Sequence, residues 1–140
     1  MNGEEDVLAL IRKAQALEKQ GDEDGAWETY QEAGEIIIFR YGPYIKALIW
    51  LSLSPNIKHL AEDVAQEVCL EVYKSLPRFD ENRGSLKSWI FGIHYYCQRT
   101  AVRRYWRESR PYSIDGEGDK TSLTAWTGEG AALLKRYENL

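Results

Sequence analysis

With 140 residues, 44% of them hydrophobic and 29% charged, the chain is long enough for one packed core and too apolar for wholesale disorder. Its acidic start, Met1-Asn2-Gly3-Glu4-Glu5-Asp6, and the lack of any apolar run near the roughly 20 residues of a membrane span argue against a secretory signal or an anchor and predict a cytoplasmic protein. The net charge of -4 hides a segregation that points to an anionic partner for one stretch: residues 1–37 balance at -7, residues 38–77 at zero, residues 78–110 at +5 and residues 111–140 at -2.

Val7, Leu8, Leu10, Ile11, Ala14 and Leu17 recur at helical spacing and predict an amphipathic helix over residues 4–20, closed by Gly21. Acidic residues 22–24 suit the positive end of a second helix, whose buried stripe is Ala26, Trp27, Tyr30 and Ala33. The spacing of Gly21, Ala26, Tyr30 and Ala33 is also that of a tetratricopeptide repeat, but no second copy follows, and a single helical hairpin accounts for it. Gly42-Pro43 predicts a boundary or kink before another helix over 44–53, and Ser54-Pro55-Asn56 reads as a turn.

Apolar residues at 60, 64, 68, 72 and 76 predict a helix over 60–76 that Pro77 ends, and a polar loop leads to a long helix over 86–107 with Ser85 as its N-cap. No strand pattern competes. The expected fold is therefore all-α, a compact bundle of four to five helices with a helical hairpin at 1–38, a central unit at 39–110, and a flexible Gly/Ser/Thr-rich tail at 111–140 that carries a short helix at 131–137. Cys69 and Cys97, far apart and without metal or redox spacing, read as buried reduced thiols.

On the last long helix Leu86, Trp89, Ile90, Ile93 and Cys97 gather on one face, while Tyr95, Arg99, Arg103 and Trp106 line the opposite one. Alternating rings and guanidinium groups suit single-stranded nucleic acid, with stacking worth about 1–3 kcal/mol per base. The preceding loop, Arg78-Phe79-Asp80-Glu81-Asn82-Arg83-Gly84, supplies a ring, acceptors and guanidinium groups with which to enclose a base drawn from its stack.

The run Ala61-Glu62-Asp63-Val64-Ala65-Gln66-Glu67-Val68-Cys69-Leu70-Glu71-Val72-Tyr73-Lys74-Ser75-Leu76-Pro77-Arg78-Phe79-Asp80 resembles region 2 of the sigma-70 family, especially its extracytoplasmic-function group. Arg83-Gly84-Ser85-Leu86-Lys87-Ser88-Trp89-Ile90-Phe91-Gly92-Ile93 is similar to the family's next segment and Arg40-Tyr41-Gly42-Pro43-Tyr44 to its first conserved helix, so the likeness covers about residues 39–115.

The resemblance implies a non-enzymatic transcription initiation factor that binds RNA polymerase core and recognises and melts the promoter -10 element. Asp63, Gln66, Glu67, Leu70 and Tyr73 fall where the family meets the clamp helices of the largest catalytic subunit. Phe79, Asp80, Asn82 and Arg83 fall in the loop that captures a flipped base, and Lys87, Tyr95, Tyr96, Arg99 and Arg103 on the helix that handles the melted non-template strand. It admits an anti-sigma factor as a further partner and requires no cofactor.

Some positions depart from the family pattern. Tyr96 stands where Asn is common and Thr100 where Asp is, so the base preference is not inherited; Leu60 replaces an Asp at the 60–76 helix start, leaving Asn56 as the expected cap; and the stretch between Tyr30 and Phe39 is longer than usual. Residues 111–140 are too short for the family's helix-turn-helix that reads the -35 element, so the sequence reads either as a fragment or as a naturally shortened protein.

Two other classes fit parts of the sequence. Glu62, Asp63, Glu67 and Glu71 are similar to the carboxylate helix of all-α metal-dependent nucleotide pyrophosphatases. A protein-binding adaptor or polymerase competitor without promoter activity would use the acidic hairpin and the 60–76 helix, and would be indifferent to loss of Arg99 and Arg103.

Overall fold

The structure, a computed structural model, describes residues 3–109. Among the described residues there are four α-helices, α1 (Glu5–Lys19), α2 (Glu23–Ser52), α3 (Ala61–Ser75) and α4 (Leu86–Ser109), with 3-10 helices at Pro55–Leu60 and Leu76–Arg78 flanking α3. No strand occurs among the described residues. The expected tail at 111–140 and its helix at 131–137 lie outside them.

The α1–α2 turn is specified by two residues. Gly21 adopts φ 86°, a left-handed conformation that costs an L side chain roughly 1–2 kcal/mol. That geometry lets the Gly21 amide donate to the Glu18 carbonyl (3.0 Å) and the Asp22 amide to the Leu17 carbonyl (3.0 Å), satisfying acceptors at the end of α1. Asp22 then caps α2, accepting from the Gly25 amide at 3.0 Å.

Of the boundary or kink expected at Gly42-Pro43, the boundary does not occur. α2 runs 30 residues through Pro43, because its buried positions Ala33, Ile37, Tyr41, Ile45, Leu48 and Ser52 keep helical spacing on both sides of it. Pro43 removes the donor for the Phe39 carbonyl, but both residues face solvent, with Phe39 84% exposed, so water can satisfy the orphan acceptor. The C-terminus of α2 is closed by Lys58, whose ammonium donates to the Trp50 and Leu53 carbonyls and lies 4.8 Å from the centre of the Trp50 ring.

Asn56 does not cap α3. Its side chain accepts from the Ser54 hydroxyl (3.0 Å), and the 3-10 helix Pro55–Leu60 passes directly into α3, whose N-cap Leu60 makes no side-chain bond. Val64, Val68 and Val72 form the buried stripe of α3, and α2 approaches closely at Gly34, where an added Cβ would overlap the Tyr73 ring. Ser85 caps α4 as expected: its hydroxyl accepts from the Ser88 amide at 3.1 Å.

The buried stripe of α4 is broader than the apolar one. Leu86, Ile90, Cys97 and Val102 are joined by His94 and Gln98, both nearly inaccessible. Gln98 donates through Nε2 to the Ser52 hydroxyl (2.8 Å), so its Oε1 accepts from His94 Nε2 (2.9 Å), which fixes the tautomer; Ser52 in turn donates to the Ile49 carbonyl at 3.2 Å. This chain of polar groups pins α4 to α2, and burial pushes the His94 imidazole down to about 4. Both cysteines are free, Cys97 buried and Cys69 only half-buried; burial pushes the Cys97 thiol up to about 11.

Candidate nucleic-acid and polymerase interfaces

The outer face of α4 keeps its cations. Arg99 and Arg103 are exposed, Tyr96 beside them is 64% exposed, and Tyr95 and Lys87 are half-buried. Trp106 does not complete the exposed stripe: it packs against the core edge and meets Tyr105 edge-on at 5.3 Å, and Tyr105 meets His59 at 5.2 Å. The free aromatic of the stripe is therefore Tyr96, one position from the ring that helical spacing favours.

At the opposite end of α4 a recess of about 560 Å³ opens between the second 3-10 helix, the following loop and the first turn of α4. Phe79, Asp80 and Arg83 line it together with Arg78, Ser88 and Trp89, while Asn82 is exposed in the same loop. Phe79 does not stand out as an open ring: it is 6% exposed and meets Trp89 edge-on at 5.2 Å, forming the apolar floor. Asp80 shapes the wall, its carboxylate accepting from the Asn82 amide and its carbonyl from the Arg83 amide, each at 3.0 Å. Floor, acceptors and guanidinium groups thus surround one cavity, suited to a flat heteroaromatic group with a hydrogen-bonding edge.

On α3, Asp63, Gln66, Glu67 and Leu70 are exposed along one edge, and Leu70 at 65% is a large uncovered apolar side chain. Tyr73 is half-buried, its ring occupying the space above Gly34. Beside this edge a groove of about 760 Å³ runs between α3 and the end of α2, lined among others by Trp50, Lys58, Gln66, Cys69 and Leu70. Such a mix of apolar surface and rim charge is the composition of a protein-binding site. Among the described residues no three His, Cys, Asp or Glu side chains group as a metal site would need, and Glu71 accepts instead from the Ser75 hydroxyl at 2.7 Å.

Sequence reasoning missed the buried pair His94 and Gln98, although both continue the four-residue spacing of Ile90 and Val102. It also missed Glu4, Arg12 and Gln15 of the hairpin, which reach the recess loop and the first residue of α4 over sequence separations of 64 to 82 residues. Local periodicity carries no signal for contacts at such distances.

The family model for Sigma-70 region 2 matches residues 39–109, just over half of the chain, and the chain belongs to this family. Membership brings the coarse function with it, a sigma factor role in RNA polymerase binding and promoter recognition, in a family of binding proteins rather than enzymes. No curated protein and no solved structure matches the chain. No helix among the described residues is long and apolar enough to cross a membrane.

Proposed function

We propose that this chain is a region 2 domain of the extracytoplasmic-function type that opens promoters by holding the non-template strand of the -10 element. In this reading Asp63, Gln66, Glu67 and Leu70, with Tyr73 beside them, meet the clamp helices of the polymerase. Tyr96, Arg99 and Arg103 track the melted strand, with Lys87 and Tyr95 at its margins, and the recess of Phe79, Asp80, Asn82 and Arg83 receives an extruded base. The work is done where RNA polymerase is, in the cytoplasm. Melting needs no bond chemistry: binding energy available only to the open strand shifts the equilibrium towards it.

The observation that carries the reading is that one helix walls a recess at its start and presents a ring with two exposed cations further along, roughly 11–21 Å from Trp89 at 1.5 Å per residue. The test is fluorescence anisotropy with single-stranded promoter oligonucleotides, with and without polymerase core. Replacing both Arg99 and Arg103 by Ala removes two phosphate contacts and makes the slope of log K against log salt shallower by about 1.4. An unchanged slope would favour the adaptor reading, and absence of binding by the unaltered chain in both settings ends the proposal.

A further inference from the structure

Three hairpin residues tie the N-terminal hairpin to the loop that walls the recess and to the start of α4 behind it, and none of them lies within the matched segment 39–109. Arg12 makes a two-pronged pair with Glu81, Nε to Oε2 at 2.7 Å and Nη2 to Oε1 at 2.6 Å, while its Nη1 donates to Glu5 at 2.9 Å. One turn further along α1, Gln15 Nε2 donates to the Phe79 carbonyl at 2.9 Å. Glu4, buried just before α1, accepts from the Leu86 amide at 3.2 Å and sets its carboxylate at the positive end of α4. The start and middle of the loop, and the first residue of α4 that follows it, are therefore gripped from a single helix and its cap.

That loop has reason to need gripping. Asp80, Glu81, Asn82, Arg83 and Gly84 are all exposed, and Gly84 has open space around it, so the free segment would sample many backbone shapes. An exposed ion pair stabilises a fold little. A bidentate one still fixes a direction, and here the guanidinium also neutralises a carboxylate that would face DNA phosphates.

We infer that α1 sets the base preference of this chain, with Arg12, Gln15 and Glu4 as positioning residues that hold the recess loop in the shape that presents its hydrogen-bonding groups to an extruded base. The inference rests on the strand-capture reading above. It makes the hairpin part of promoter recognition without touching DNA.

The experiment incubates the full 140-residue chain and polymerase core with a fluorescent single-stranded DNA library carrying a degenerate hexamer, and sequences the bound fraction. The unaltered chain gives a peak of base preference at one position or more. Arg12→Ala and Glu81→Ala each flatten that peak by about fivefold or more, while total affinity for the library changes less than about threefold because Arg99 and Arg103 are retained. The double variant is no flatter than Arg12→Ala alone, since Glu81→Ala removes a contact that Arg12→Ala has already removed, and Lys13→Ala on the same helix leaves the profile alone. Circular dichroism melting verifies that the variants fold. A peak that survives Arg12→Ala, or effects that add in the double variant, overturns the inference alone; a flat profile from the unaltered chain overturns strand capture and the inference together.

Discussion

His94 is the residue whose chemistry most constrains the fold. Burial holds its pKa at about 4, against an ordinary value of 6.5 in the unfolded chain. Between those values the unfolded chain takes up a proton that the folded chain refuses, so stability falls as pH drops from 6.5 to 4, by roughly 3 kcal/mol in total. His94→Gln lowers stability at neutral pH but flattens this acid limb, and urea midpoints measured across the window give the difference between the two profiles. A parallel acid limb in the variant would show that His94 is not its origin. Gly34 is a second point of constraint: with the Tyr73 ring filling the space above it, Gly34→Ala is expected to cost about 1–3 kcal/mol, read as a lowered denaturant midpoint.

At the level of elements, Pro43 marks where local propensity and tertiary packing disagree. Its ring costs α2 one backbone bond, and Pro43→Ala should raise stability by about 1–2 kcal/mol, less than the full helix-interior penalty because the unfolded chain also gains freedom. A variant no more stable than the original would mean that water fully satisfies the Phe39 carbonyl. α1, α3 and α4 are legible because their apolar residues recur at 3.6-residue spacing, which places each within two residues at both ends, and Ser85 is recognisable as a cap from its chemistry alone. Gly42-Pro43 reads as a boundary or kink because a sequence shows the lost donor but not the continuous stripe from Ala33 to Ser52 that outweighs it. The exposed edge of α3 and the cations of α4 are likewise legible from spacing. The burial of Phe79 and the packing of Trp106 against the core edge are not, since a ring in a loop or near a helix end gives no sign of which neighbour will cover it.

For the molecule as a whole, the charge segregation read from the sequence has a spatial counterpart: the acidic hairpin reaches the recess loop through Arg12 and Gln15, whereas Arg99 and Arg103 lie exposed on α4. Two exposed surfaces on neighbouring helices should therefore fail independently. Leu70→Asp is expected to weaken polymerase binding about tenfold or more while leaving affinity for single-stranded DNA unchanged, and combining it with Arg99→Ala should give additive losses in a double-mutant cycle. Coupled losses would mean that the two faces do not act separately.

The continuity of α2 has a practical consequence for anyone trimming this protein. Phe39, where the family match begins, sits beyond the midpoint of a helix that starts at Glu23. A chain shortened to that point would begin on a raw helical stump, lose the Gly34 seat beneath Tyr73, and discard the grip of α1 on the recess loop. The edge of recognisable ancestry is not a seam along which the molecule can be cut, and deletions meant to isolate the conserved part should yield aggregates rather than a minimal domain.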